Sequence, residues 1–255
     1  MIDLSTLTAH ELGKCFDLSV LPKQTTEDDI RKGCRQAVQY NCAAFYCSGA
    51  YWTPVVLEEL SGSDVLPAAA IGFPFGSATS VAKARETEEA VARGNRALDS
   101  VMNIGALKSG RIDDVREETR AFKQAAGDAV TKVILETGYL TDDEIRRATE
   151  VLVDEDIDYA KTSSGQFDGP SMEHVLLMVE ATSGSSTKVK VAGVKFPRPQ
   201  NAYAFLLAGA ELIGTRDAPG IIDAFDQLRA IGLVPGYRNP THPAQPAEPV
   251  EQLLA

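Results

Sequence analysis

One feature restricts the fold of this chain more than any other. An apolar run, a turn and a stretch of helical periodicity recur in that order eight times. The apolar runs fall near residues 12–18, 43–47, 66–73, 97–104, 131–136, 159–162, 188–192 and 212–215. Between them, Ile112, Val115, Thr119 and Phe122 are spaced to line one face of a helix, and Ile145, Ala148, Val151 and Leu152 line another. Thr141-Asp142-Asp143-Glu144 has the form of a capping box ahead of that second helix, and Thr26 with Asp29 gives a similar start near the first. Eight strand–helix units in about 230 residues is the count of an α/β protein with the (β/α)₈ TIM-barrel architecture. An open doubly wound sheet is the alternative. It usually needs fewer strands, and no G-x-G-x-x-G follows a strand here.

The length of 255 residues suits one such barrel, expected over residues 1–234. Residues 235–255 hold five of the thirteen prolines and read as an irregular tail ending in a short apolar segment, 250–255. With 25 basic against 36 acidic residues the net charge is −11, which argues against nucleic acid as a partner but leaves room for a small phosphorylated substrate. No apolar run approaches the ~18 residues of a membrane-spanning helix. Residues 1–14 show no cationic segment followed by an apolar core, so no export signal is read there. Cys15, Cys34, Cys42 and Cys47 form no C-x-x-C pair and read as reduced, buried thiols. These features lead to the expectation of a cytoplasmic protein. His10, His174 and His242 are scattered, so neither a metal site nor a cofactor is expected.

In a barrel, reacting groups sit at the C-terminal ends of the strands. Three strand ends carry charge. In the sixth, Tyr159 and Lys161 alternate onto one face, and Lys161 is either a snorkelling surface residue or an amine held inside the mouth. In the seventh, Lys188, Lys190 and Ala192 oppose Val189 and Val191. Lys190 then points inward, unless the strand lies at an edge with both lysines in water. In the fourth, Asp99, Val101 and Asn103 share a face, and an inward Asp99 needs a cation nearby. Two lysines and an aspartate have a specific joint use. A second ammonium and partial desolvation free the lone pair of one lysine, which attacks a carbonyl to form a Schiff base. The protonated imine is an electron sink, and the aspartate moves protons.

At these same strands the chain resembles the deoxyribose-phosphate aldolase family of Schiff-base aldolases. The resemblance covers residues 17–224 and is carried by Ile71-Gly72-Phe73-Pro74-Phe75-Gly76, the run Val101 to Gly110, Lys132-Val133-Ile134-Leu135-Glu136-Thr137-Gly138, and Asp158-Tyr159-Ala160-Lys161-Thr162-Ser163-Ser164-Gly165. It implies that Lys161 forms the imine, that Lys190 tunes it, that Asp99 works with Lys190 in proton transfer, and that Asp17 belongs to the pocket. It also implies substrate contacts from Thr162, Gly165, Gly193 and Gly214, a small aldehyde or sugar phosphate as substrate, and pairing into a homodimer as a state open to the chain.

Two loops depart from the family. After the second lysine the family has a Gly-Gly pair, then an apolar residue and an arginine. Here Gly193-Val194-Lys195-Phe196-Pro197-Arg198 puts valine in place of the second glycine, in a loop one residue longer. After the eighth strand Gly-Thr-Ser-Ser-Gly is replaced by Gly214-Thr215-Arg216-Asp217-Ala218-Pro219-Gly220. The family holds the substrate phosphate with these loops. Either Lys195, Arg198 and Arg216 replace backbone cradling by charge pairing, or the same imine chemistry runs on another, non-phosphorylated carbonyl compound. Asp217 would repel a dianion, or Arg216 and Asp217 pair with each other at the rim. A non-covalent lyase or isomerase using Asp99 and Lys190, and a non-catalytic ligand-binding relative, are the further alternatives. Tyr237 is not assigned a site role.

Overall fold

The alternation of apolar runs and helical stretches resolves into a closed parallel barrel. The computed structural model describes residues 2–238. Its strands are β1 (Phe16–Val20), β2 (Ala44–Cys47), β3 (Leu66–Ile71), β4 (Ala97–Val101), β5 (Val130–Ile134), β6 (Tyr159–Lys161), β7 (Lys188–Ala192) and β8 (Leu212–Thr215). They are hydrogen-bonded in sequence order, and β8 returns to β1 with Asp17 in register with Gly214. The helices are α1 (Ala9–Leu12), α2 (Glu27–Gln39), α3 (Thr53–Glu59), α4 (Ser80–Ala92), α5 (Ile104–Lys108), α6 (Ile112–Ala126), α7 (Asp142–Asp154), α8 (Met172–Ala181), α9 (Pro199–Leu207), α10 (Ala218–Asp223) and α11 (Phe225–Ala230). None of them is long and apolar enough to cross a membrane.

The expected helix faces are the buried ones. Val115, Thr119 and Phe122 on α6, and Ile145, Ala148, Val151 and Leu152 on α7, turn toward the strands. Thr141 and Thr26 form the expected capping boxes with Glu144 and Asp29, which satisfies free backbone N–H groups at the starts of α7 and α2. The first strand differs from expectation. Thr8 and Glu11 form a capping box that turns residues 9–12 into a helical turn, so Leu12 ends a helix and β1 begins at Phe16. The third and fourth strands are shorter than the apolar runs containing them. Gly72 leaves the strand with φ of 62° and donates its N–H to Glu86, and the Asn103 side chain caps α5.

Strand alternation divides the core in two. Outward residues such as Phe45, Leu98, Val133, Val189 and Val191 pack against the helices. Inside, Ala44, Tyr46, Ala68 and Ala97 form a smaller cluster. Three of those four are alanines, and their small side chains leave the barrel room for long ones.

The expected barrel boundary at residue 234 falls beside an attached segment. The Arg238 N–H donates to the Ser5 carbonyl at 2.7 Å, and its guanidinium pairs with Asp3. The remainder of the proline-rich tail, with the apolar 250–255 segment, lies outside the described residues.

Candidate active site

Alternation brings five acidic and basic side chains into the barrel. Asp17 on β1, Asp99 on β4, Lys132 on β5, Lys161 on β6 and Lys190 on β7 are each no more than 6% exposed. Two carboxylate oxygens join them. Asp99 Oδ2 accepts from Lys161 Nζ at 2.6 Å and from Lys190 Nζ at 2.7 Å. Asp17 Oδ2 lies 2.6 Å from Lys132 Nζ and 2.7 Å from Lys190 Nζ. Lys190 therefore bridges both acids.

Two carboxylates face three ammonium groups. With all five ionised, one positive charge is unbalanced in a dry interior, which is costly. Lys161 is the least supported of the three. Lys190 has two carboxylates. Lys132 has one, and the rings of Tyr46 and Tyr159 lie 5.1 and 5.3 Å from its nitrogen. Lys161 has one carboxylate and a ring no nearer than 5.9 Å.

Burial brings the Lys161 amine down to about 8, with Asp99 resisting and the Lys190 ammonium assisting. The neighbouring ammonium thus acts as expected from the sequence, but desolvation is the larger cause. Burial also works against the charge of Lys190, yet Asp17 and Asp99 outweigh it and hold that lysine above its ordinary value. Burial lowers Lys132, and Asp17 restores part of the loss. Burial resists the charge of Asp99, but Lys161 and Lys190 keep it well below the usual carboxylate range.

Surrounding residues fix this cluster. A Cβ on Gly214 would sit 3.0 Å from Lys190 Cε, a tight approach that the lysine chain would have to yield to, so glycine on β8 gives that chain its room. Beyond Asp99, buried Lys83 donates to the Val101 carbonyl at 2.6 Å and pairs with Glu118 at 2.9 Å. Glu118 also accepts the Asn103 N–H at 3.0 Å, so α4 and α6 together hold the end of β4. After β5, Glu136 takes a left-handed φ of 53° and accepts the Ser164 N–H at 3.1 Å. That bond ties down the loop that follows Lys161.

The cluster forms the floor of a cavity of about 1090 Å³ that opens at the C-terminal ends of the strands. Asp17, Asp99, Lys161 and Lys190 line it, together with Gly165, Gly193, Lys195, Gly214 and Arg216. Gly193 needs its glycine: with φ of 84°, a Cβ would lie 2.6 Å from that of Ser163. Two expected contacts are not brought to the cavity. Thr162 is fully buried, and its hydroxyl bridges β6 to β7 by donating to the Ala192 carbonyl and accepting the Ala192 N–H. Arg198 sits exposed at the start of α9, outside the lining.

The charged rim also differs from expectation. Arg216 does not pair with Asp217; it donates to the Lys195 carbonyl at 3.0 Å, and among the described residues no carboxylate neutralises it. Asp217 accepts the Gly220 N–H at the start of α10. Lys195 pairs with Asp168 at 2.8 Å. Tyr237 is absent from the cavity lining.

Three site residues escaped the sequence reading. Lys132 had a signal, since an ion inside an apolar run is what singled out Lys190. Tyr46 had none, because a tyrosine in such a run reads as core. Glu136 is set apart only by its backbone conformation.

Comparison with known proteins gives a consistent picture. No family model matches the chain. Deoxyribose-phosphate aldolase of Brevibacillus brevis is 37% identical over 211 residues, covering 83% of this chain and 95% of its own. The enzyme of the same name from Clostridium novyi is 38% identical over 214 residues, with 83% and 95% covered. Among solved structures, the aldolase QR15 superposes with a TM-score of 0.79 at 30% identity over 91% of this chain and 99% of its own. A tetrameric deoxyribose phosphate aldolase from Aeropyrum pernix shares the fold, with a TM-score of 0.77 at 24% identity over 87% and 93%.

Proposed function

The chain belongs to the deoxyribose-phosphate aldolase family, and from that premise we propose that it cleaves and forms 2-deoxyribose 5-phosphate through an imine on Lys161. One observation carries the assignment of the lysine. Of three buried lysines sharing two carboxylates, Lys161 is the one with least to hold its proton. At a value near 8, about one molecule in ten carries the free amine at pH 7, against roughly one in three thousand for an ordinary lysine.

The free Nζ of Lys161 attacks the aldehyde carbon of the open-chain sugar, and water leaves as the iminium forms. The bond between C2 and C3 then breaks. Its electron pair moves into the iminium to give an enamine, while the C3 hydroxyl becomes a carbonyl and loses its proton toward Asp99. Glyceraldehyde 3-phosphate departs, a proton returns to the enamine carbon, and hydrolysis releases acetaldehyde and regenerates the amine. Lys190 stays an ammonium between two acids and holds the Asp99 carboxylate in place. The reverse sequence is the condensation.

Incubation with acetaldehyde and borohydride is expected to place a single ethyl group on Lys161. Its yield should rise with pH to half-maximum near 8, because the attacking form is the deprotonated one. An unmodified Lys161 in the folded protein would refute the proposal.

Arg216 supports a phosphorylated substrate. It lines the mouth without a carboxylate partner among the described residues, and Asp217 beside it is engaged in capping α10. Arg216→Ala is expected to raise KM for the phosphorylated sugar about five- to tenfold and to leave turnover of unphosphorylated deoxyribose unchanged. Equal effects on both sugars would remove Arg216 from phosphate binding. A cytoplasmic setting fits the four free, buried cysteines.

A further inference from the structure

Three cations border the cavity at its rim, Lys23, Lys195 and Arg216. Among the described residues, Lys195 alone of the three has a carboxylate partner, Asp168, at 2.8 Å. Both side chains are exposed, Lys195 at 61% and Asp168 at 70%. The hydrogen bond between them holds Asp168 below its ordinary value and raises Lys195, so both carry charge at neutral pH. Arg216 donates to the Lys195 carbonyl at 3.0 Å, which places the base of the Lys195 side chain beside the guanidinium. We propose that Asp168 is a specificity-determining residue: it occupies Lys195 in the free enzyme and yields it to a dianionic phosphate on the substrate. This rests on the reading of the protein as an aldolase of a phosphorylated sugar, and adds what sets its preference for phosphate.

The two partners are held differently. Asp168 stands on backbone packed between neighbouring loops. A Cβ on Gly138 would lie 3.0 Å from Asp168 Cβ, and one on Gly169 would lie 2.6 Å from the Gly193 carbonyl oxygen, so the loops after β5, β6 and β7 touch here. Lys195 reaches the carboxylate on a flexible four-carbon stem. An exchange of partner therefore moves the lysine and leaves the aspartate where it is. An exposed ion pair of this kind is weak and is screened by salt. A phosphate monoester brings roughly 1.5 to 2 negative charges at neutral pH and three acceptor oxygens. Held at Arg216, it outcompetes a single carboxylate for Lys195. Asp217, next to Arg216, accepts the Gly220 N–H and has no lysine partner among the described residues. An unphosphorylated sugar gives Lys195 no reason to leave Asp168, so the pair bears on one class of substrate and not on the other.

The test is Asp168→Asn, which keeps the size of the side chain and removes its charge. At low ionic strength KM for 2-deoxyribose 5-phosphate should fall about two- to fivefold, with kcat level and KM for unphosphorylated deoxyribose unchanged. The gain should shrink in about 0.5 M salt. Lys195→Met should raise KM for the phosphorylated sugar. In that background Asp168→Asn should deliver less than half of its gain, read as the logarithm of KM, because the lysine it would release is gone. A KM for the phosphorylated sugar that stays level or rises in Asp168→Asn overturns the proposal, and so do equal shifts for both sugars. The full gain persisting without Lys195 overturns the exchange, since Asp168 would then act by repulsion alone. Native protein that turns over neither sugar and traps no acetaldehyde overturns instead the aldolase reading beneath it.

Discussion

Replacing Lys161 with methionine is expected to abolish borohydride trapping and to lower kcat/KM for 2-deoxyribose 5-phosphate on the order of 10⁴-fold or more. The protein should remain folded. Methionine fills a similar length, and its removal of one ammonium leaves Lys132 and Lys190 facing Asp17 and Asp99, a balanced set. Replacing a buried ion by an apolar side chain is often neutral or stabilising when no partner is left uncompensated. The melting temperature should therefore stay level or rise by a few degrees, about 2–4 °C for each kcal/mol gained at this chain length. Activity within tenfold of the native enzyme would exclude a covalent role for Lys161. It would return the barrel to a non-covalent mechanism run by Asp99 and Lys190.

Asp99→Asn should separate the two halves of the reaction. Asp99 resists the loss of a proton from Lys161, so its removal is expected to lower the pH at which the amine becomes free, below the native value of about 8. Trapping of acetaldehyde at pH 7 should therefore increase. Turnover of the sugar should fall by about 10²–10⁴, because the group that handles the C3 hydroxyl proton is gone. Stability should fall by about 3–5 kcal/mol where Lys161 and Lys190 both remain charged, and recover as pH rises and they shed protons. Thermal melts between pH 6 and 9, beside trapping and turnover, check all three. Trapping and turnover that fall together would make Asp99 a support for Lys161 alone.

The barrel is legible in the sequence because its signal is local and repeated. Each strand is short, buried on both faces and followed by an amphipathic helix, so eight weak signals reinforce one another. The start of the first strand is not legible, because apolar residues 12–18 mix two periods, and only the Thr8–Glu11 capping box shows where helix gives way to strand. Lys190 and Asp99 are legible as inward ions that demand a partner once the strands close a barrel, whereas Lys161 reads on pattern alone as a snorkelling surface residue or an inward amine and is singled out by the family resemblance. The sharing of a single Asp99 oxygen by the two lysines is not legible, since it depends on the diameter of the closed barrel. The loops are harder. Thr162 and Arg198 sit close in sequence to the reacting lysines, yet one hydroxyl turns into the sheet and one guanidinium turns to solvent. Backbone direction after a strand end decides this, and residue type does not report it.

Gly214 carries a consequence for any attempt to redesign the enzyme. With no side chain, it is the notch in β8 through which the Lys190 stem passes, and even a methyl group would press on that stem at 3.0 Å. Mutational searches for new acceptors have more freedom at rim positions other than Gly193 and Arg216, while position 214, which looks like an empty wall of the binding chamber, is in effect part of the seat of Lys190.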